Sequence, residues 1–235
     1  MLLLRSLVFQ VYFFVSVLLF ACAVFLSWPF SFKVRFALAR TWARSMLWVG
    51  RVVCGLDYVI EGEENIPNEP SVIMIKHSTV FEAYAQLAVF PPQTWVIKRE
   101  LTWIPIFGWG LAAMRPIAID RRAGHTAVSQ VIAQGRARLR DGIWVTIFPE
   151  GTRVRRGTVR KYGVSGAALA SNVGCPVVPV AHNAGDLWPR RSLIKRPGLI
   201  RFCIGPAIDS SGRSPREINE SVRLWIETRM DEISA

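Results

Sequence analysis

The 235-residue sequence is poor in side chains that cross-link or chelate, with four cysteines (22, 54, 175 and 203) and three histidines. No Cys-x-x-Cys occurs, and the thiols are too scattered for a zinc cage or a disulfide framework. They fit a reducing compartment, as free thiols acting as small apolar residues. His125 and His182 lack acids at ligand spacing, so no metal site is expected, and His182 reads as a structural histidine. Acids are scarce, 17 against 29 lysines and arginines, and none precedes Asp57. The resulting net charge of +12 raises nucleic acid as a partner, but no zinc-finger spacing, RNP-like motif or basic zipper accompanies it. No nucleic-acid partner is therefore expected. The Gly-x-Ser-x-Gly elbow of many hydrolases is also missing; Gly163-Val164-Ser165-Gly166 only approaches it. There is no internal repeat and no low-complexity segment.

What is present is unevenly placed. Leu7 to Trp28 is apolar except for Gln10, Tyr12, Ser16 and Ser27. As a helix this run covers about 33 Å, enough to cross a bilayer core. It exceeds a signal-peptide core and continues past Ala21-Cys22-Ala23, so neither cleavage nor lipidation is expected. Lys33, Arg35, Arg40, Arg44 and Arg51 follow closely, a bias that keeps the next segment cytoplasmic and attracts anionic headgroups. Pro29 and Phe30 break the helix. Residues 33–55 read as a second one, with Trp42 and Trp48 among the arginines, a mixture suited to the membrane interface. Both a spanning helix and a shallow hairpin with 33–55 satisfy this pattern, and Arg5 leans toward the hairpin. The expected division is a membrane anchor with an interfacial helix over 1–55 and a catalytic domain over 56–235. The expected location is the membrane, with the catalytic domain on the cytoplasmic face, the inner membrane if the source is bacterial.

Beyond residue 70 short apolar runs alternate with helical patterns. Strands are predicted at 72–76, 94–98, 117–119, 144–148, 177–181 and 199–204. Helices are predicted at 79–90, 126–140, 163–171 and from Pro215 to about Ile233, the last opened by Ser214 and Glu217 as a capping box. The alternation implies an α/β class with a largely buried mixed sheet and flanking helices.

The chemistry is concentrated where predicted strands end. Lys76-His77-Ser78-Thr79-Val80-Phe81-Glu82 follows Val72-Ile73-Met74-Ile75. A neutral imidazole can take a proton from a hydroxyl, and a carboxylate on its other nitrogen fixes the tautomer. Residues five apart do not share a helix face, so contact requires His77 in a loop and Glu82 in the next helix's first turn. Thr79-Val80-Phe81-Glu82 is equally a capping box with Thr79 as N-cap, and on this pair alone both roles for Glu82 stand. Lys98, Arg121 and Phe148-Pro149-Glu150-Gly151-Thr152-Arg153 follow other strands, on the side where open α/β sheets bind ligands. Arginine can grip phosphate with two bonds at once, and glycine lets the backbone approach a ligand.

Taken together these residues resemble the glycerolipid acyltransferase family, of the 1-acylglycerol-3-phosphate O-acyltransferase (lysophosphatidic acid acyltransferase) type. Four ordered blocks carry the likeness: His-x4-Asp, with Glu82 in the acid's place; Ile117 to Arg121; Phe-Pro-Glu-Gly-Thr-Arg at 148–153; and Cys175-Pro176-Val177-Val178-Pro179-Val180. Ile104 to Gly110 resembles the family's linker between the first two. The resemblance implies His77 and Glu82 as the catalytic pair, with Arg121 and Arg153 holding the acceptor's phosphate and Lys98 nearby. It also implies an acceptor site shaped by Glu150, Gly151 and Thr152. It implies no cofactor and no metal. Acyl-CoA or acyl-carrier protein would be the co-substrate, a lysophospholipid the acceptor and phosphatidic acid the product. Another lysolipid such as lyso-ornithine lipid, and a non-enzymatic membrane-docked lipid-binding protein, are the alternatives.

Overall fold

The computed structural model describes residues 1–120, 124–155 and 157–234. Two antiparallel helices come first, α1 (Leu2–Leu26) and α2 (Phe32–Cys54). α1 is apolar around nearly its whole circumference, so packing one side leaves Leu4, Val11, Phe14, Val15 and Leu19 exposed. α2 is amphipathic and buries Phe36, Ala39, Ala43, Met46, Leu47 and Gly50 along one stripe. It ends at Gly55, whose φ of 67° supplies the left-handed C-terminal turn.

The rest alternates as the sequence pattern implies. In order come β1 (Leu56–Glu61), β2 (Val72–Ile75), α3 (Phe81–Val89), β3 (Gln93–Lys98), α4 (Phe107–Ala113), β4 (Ile117–Ile119), α5 (His125–Arg140) and β5 (Trp144–Ile147). Then follow α6 (Ser165–Val173), β6 (Val177–His182), α7 (Ala184–Leu187), β7 (Gly198–Ile204) and α8 (Pro215–Ile233). The seven strands form one sheet in the order β1-β7-β6-β2-β5-β3-β4. β6, β2, β5, β3 and β4 run parallel, while β7 pairs antiparallel with β6 and parallel with β1. The sheet is therefore mixed, as expected.

Helices cover both faces, which is why the central strands are continuous apolar runs rather than alternating ones. Ile73 and Ile75 of β2 face a core shared with α1, α2 and α3; Val72 and Met74 face one built with α5, α6 and α8. Ile218, Val222 and Ile226, four residues apart, form the buried stripe of α8. Its predicted capping box is present, with the Ser214 hydroxyl accepting from the Glu217 N–H at 3.3 Å and Glu217 accepting from the Ser214 N–H at 2.8 Å. Three elements went unread in the sequence, β1, α4 and the single turn of α7. β1 gains its partner from β7, some 140 residues on, and α4 grows from a Pro- and Gly-rich stretch that reads locally as a loop.

α1 is held to the domain near both ends. The Lys195 N–H donates to the Ser6 hydroxyl at 2.9 Å, and its ammonium lies 4.5 Å from the centre of the Trp188 ring, which packs edge-on against Phe9. At the other end Gly110 admits close approach, since a Cβ there would lie 2.6 Å from the Ala21 carbonyl oxygen. Phe25 meets Trp109 with ring centres 5.8 Å apart. α2 adds two cation caps. Arg40 donates to the Leu87 and Phe90 carbonyls at the end of α3, and Arg35 donates to the Ala113 carbonyl at the end of α4.

Candidate functional site

β2 and β5 are neighbouring parallel strands, so the segments leaving their carboxyl ends meet. These are Lys76–Glu82 and Phe148–Arg153. His77 sits in the loop and Glu82 is the second residue of α3, the arrangement that five-residue spacing required. The His77 Nδ1 lies 2.8 Å from Glu82 Oε1. A carboxylate facing Nδ1 makes that nitrogen the donor, which leaves Nε2 as a proton acceptor.

Glu82 also bonds the loop that leads into its helix. Its oxygens accept from the Ser78 and Thr79 backbone N–H groups and from the Thr79 hydroxyl, at 2.7–3.1 Å. One side chain thus closes the helix start and backs the histidine. The N-cap lies one residue later than expected, at Val80 rather than Thr79, and the Thr79 hydroxyl instead accepts from the Phe81 N–H at 2.8 Å. Glu82 is fully buried. Burial pushes its carboxyl up, but the His182 imidazole, the bond and charge of His77 and the Thr79 hydroxyl overcome that and hold it at about 2.

The Phe148–Arg153 loop is stitched to the same histidine. The Phe148 ring stacks on the imidazole, with centres 4.2 Å apart and planes inclined by 21°. The Val154 N–H donates to the His77 carbonyl at 2.8 Å, and the His77 N–H donates to Glu150 Oε2 at 3.3 Å. Gly151 adopts φ 67°, a turn that favours glycine. Thr152 and Arg153 are half-buried, and the Arg153 guanidinium has no hydrogen-bond or ion-pair partner among the described residues. It is available to an anion.

Lys98 ends β3, exposed to solvent and on the strand beyond β5. At sheet spacing this is two strands, roughly 10 Å, from the end of β2. Arg121, expected to hold phosphate, lies outside the described residues. The structure therefore brings together His77, Glu82, Glu150, Gly151, Thr152 and Arg153, and places Lys98 farther along the same rim.

Sequence reasoning missed a buried charge cluster behind this rim. Lys76 points away from His77, and its ammonium donates to both oxygens of Glu227 on α8, at 2.6 and 2.9 Å. Glu150 Oε1 lies 3.5 Å from the same ammonium. Tyr162 donates to Glu227 Oε1 at 2.8 Å. One lysine thus serves two carboxylates. Burial pushes the Glu150 carboxyl up, with Lys76 opposing and Glu227 adding to the rise, to about 7. The signal available in sequence was weak: a lysine directly after an all-apolar strand, and an acid beside the buried stripe of an amphipathic helix.

An imidazole backed by a carboxylate on one nitrogen and open on the other is the working part of a general-base enzyme. Known proteins narrow that class. The family model described as Acyltransferase matches residues 57–183. The 1-acyl-sn-glycerol-3-phosphate acyltransferase of Pseudomonas aeruginosa is 44% identical over 209 residues, covering 88% of this chain and 81% of that one. A protein of the same name from Cocos nucifera is 25% identical over 205 residues, covering 86% of this chain and 65% of the relative. The crystal structure of the 1-acyl-sn-glycerophosphate (LPA) acyltransferase PlsC from Thermotoga maritima superposes with a TM-score of 0.82 at 22% identity, over 98% of this chain and 95% of that one.

The chain belongs to the acyltransferase family. It is an enzyme rather than the non-enzymatic binding protein, and its fold is that of the Thermotoga acyltransferase.

Proposed function

We propose that the enzyme moves a fatty acyl group from an acyl thioester, acyl-CoA or acyl-carrier protein, to the free hydroxyl of 1-acylglycerol 3-phosphate, giving phosphatidic acid. The observation that carries this reading is the 2.8 Å contact between His77 and Glu82, with Arg153 on the loop whose next residue, Val154, bonds the His77 carbonyl. The names of the Pseudomonas and Cocos relatives point to the same acceptor.

His77 Nε2 takes the proton of the acceptor hydroxyl as its oxygen attacks the thioester carbonyl carbon. The carbon–sulfur bond then breaks, and the imidazolium returns that proton to the departing thiolate. Glu82 stabilises the imidazolium that exists between these events. No acylated side chain is needed, because the thioester is already activated and proximity supplies much of the remaining rate. Arg153, with Lys98 farther along the rim, holds the phosphate, and Arg121 is proposed to share that role. Gly151 and Thr152 shape the acceptor's seat, and Glu150 orients the His77 backbone from behind.

Residues 1–55 form the membrane anchor and 56–235 the catalytic domain. Because α1 is clasped to the domain near both ends, it lies along the bilayer surface with α2 as a shallow hairpin and does not cross it. Its exposed leucine, valine and phenylalanine face sits in the acyl region. The basic flank keeps the site on the cytoplasmic face, at the inner membrane in a bacterium. The acceptor's chain then stays in lipid while its headgroup reaches His77.

The test is free-thiol release by purified protein in detergent, supplied with acyl-CoA and a panel of lysolipids. Release is expected with 1-acylglycerol 3-phosphate and not without an acceptor. Absence of release with every lysolipid overturns the reading. Faster release with a lysolipid lacking a phosphate monoester, such as lyso-ornithine lipid, overturns the choice of acceptor.

A further inference from the structure

We infer that His182, the last residue of β6, is a positioning residue for acyl transfer that acts through Glu82. This rests on the reading of His77 and Glu82 as the base pair.

His182 is fully buried. Its Nε2 lies 2.9 Å from the Lys76 carbonyl oxygen, which can only accept, so Nε2 carries the hydrogen. The same nitrogen lies 3.5 Å from Glu82 Oε2. Glu82 therefore faces one imidazole with each oxygen, His77 with Oε1 and His182 with Oε2. The ring is fixed by stacking on Phe202, with centres 6.1 Å apart and planes inclined by 9°, and by the nearby ring of Phe81. Burial lowers its basicity, so it is a neutral donor. Its other nitrogen, Nδ1, is buried without a hydrogen-bond partner among the described residues.

That orphaned nitrogen is the informative feature. A histidine kept only to fill space would be better replaced by a ring with no polar atom to strand. Here the one N–H bonds the peptide that leads into His77, and the same nitrogen lies 3.5 Å from the far oxygen of the acid behind it. Thr79 ties the same oxygen from the loop side. His182 closes the remaining side of Glu82, so that the longer acid present here keeps one rotamer and one face toward His77.

Three substitutions of His182, a double-variant comparison and one spectrum test this. His182→Phe keeps the stack on Phe202 and removes the donor. His182→Gln carries an amide nitrogen to about the Nε2 position, and His182→Asn is too short to do so. Turnover is expected to fall about tenfold in His182→Phe and His182→Asn at little-changed acceptor KM, and to stay within about threefold of wild type in His182→Gln. In a Glu82→Gln background the phenylalanine substitution should cost less than about twofold more, because the acid it acts through is gone. Equal losses in both backgrounds, or equal activity of the glutamine and asparagine variants, overturn the inference. If His182→Phe does not fold, the glutamine–asparagine pair decides alone.

With only three histidines in the chain, a ¹⁵N-histidine spectrum of the full protein in detergent reads the tautomers directly. His182 should be neutral and protonated on Nε2 near neutral pH, and the His77 signals should shift in His182→Phe more than in His182→Gln. An Nδ1-protonated His182 contradicts the inference. Turnover retained in both His77→Ala and Glu82→Gln means that the base pair itself was misread. Loss in those two, with His182→Phe and His182→Asn at wild-type rate, removes only the role of His182.

Discussion

Two buried glutamates flank His77, and they behave oppositely. Glu82, on the α3 side, is held at about 2, whereas Glu150, on the α8 side, is pushed up to about 7. Burial raises both. The difference lies in the donors each one meets. Glu82 accepts from two backbone N–H groups, a hydroxyl and the His77 ring. Glu150 accepts one backbone N–H at 3.3 Å and shares a lysine that Glu227 holds more closely. The same side chain in the same loop cluster is thus a fixed anion on one side and a titrating group on the other. A carboxylate that must stabilise an imidazolium has to be the fixed one.

This contrast can be broken from either side. Between the two glutamates, the larger effect is expected at Glu82. Glu82→Gln should lower turnover by about 10²-fold or more, since it replaces the anion with a neutral amide. Glu82→Asp should retain more activity than Glu82→Gln but less than wild type, because the shorter acid cannot reach His77 and Thr79 together. Thiol-release rates of the two variants check both statements.

Next comes Arg153. Arg153→Ala should raise the acceptor KM by about tenfold or more with the donor KM little changed, as expected for a lost phosphate contact. Initial rates over an acceptor series read this split, and an unchanged acceptor KM removes Arg153 from the phosphate site.

A smaller effect tests Glu150 through stability. Its ordinary value is 4.5 and its folded value about 7, so the folded state holds a proton that the unfolded state has lost between those limits. Stability from this group is fully present below about pH 4.5, declines as pH rises, and levels off above about pH 7. Glu150→Gln removes that decline. Relative to wild type, it should gain on the order of 2–3 kcal/mol between pH 5 and 7.5, measured by denaturant unfolding. A constant difference across that range means that Glu150 does not titrate there.

The smallest expected effect is at Glu227. Glu227→Gln should leave Lys76 to Glu150 and move the midpoint of that stability change to lower pH, with turnover reduced less than in Glu82→Gln. A midpoint unchanged or raised contradicts the shared-lysine cluster.

Much of this rim was legible before any coordinates. Five-residue spacing demanded His77 in a loop and Glu82 in a helix's first turn, and an apolar run before each polar segment placed them at strand ends. Which strands are neighbours was not legible. The meeting of His77 with Phe148–Arg153 depends on β2 lying next to β5, and that order is set by crossovers rather than local pattern. The Lys76–Glu227 pair spans 151 residues and could not be read from either end. β1, in Leu56–Glu61, carries charged residues at both ends of a short apolar stretch and needs β7 to become a strand. The boundary at Thr79 was misplaced because its hydroxyl has two uses, as donor to Glu82 and acceptor from Phe81. Helix capping and acid–base positioning draw on the same residue types at the same spacing, so sequence alone left Glu82 with two roles; the fold shows its carboxylate bonded both to the loop before α3 and to the His77 ring.

The central claim is that His77 removes the proton from the acceptor. The direct measurement is single-turnover thiol release by His77→Ala and wild type, each saturated with acyl-CoA and 1-acylglycerol 3-phosphate, with folding checked by circular dichroism. A folded variant slowed by about 10³-fold or more is the expected result. A folded variant that releases thiol within about tenfold of the wild-type rate contradicts the claim.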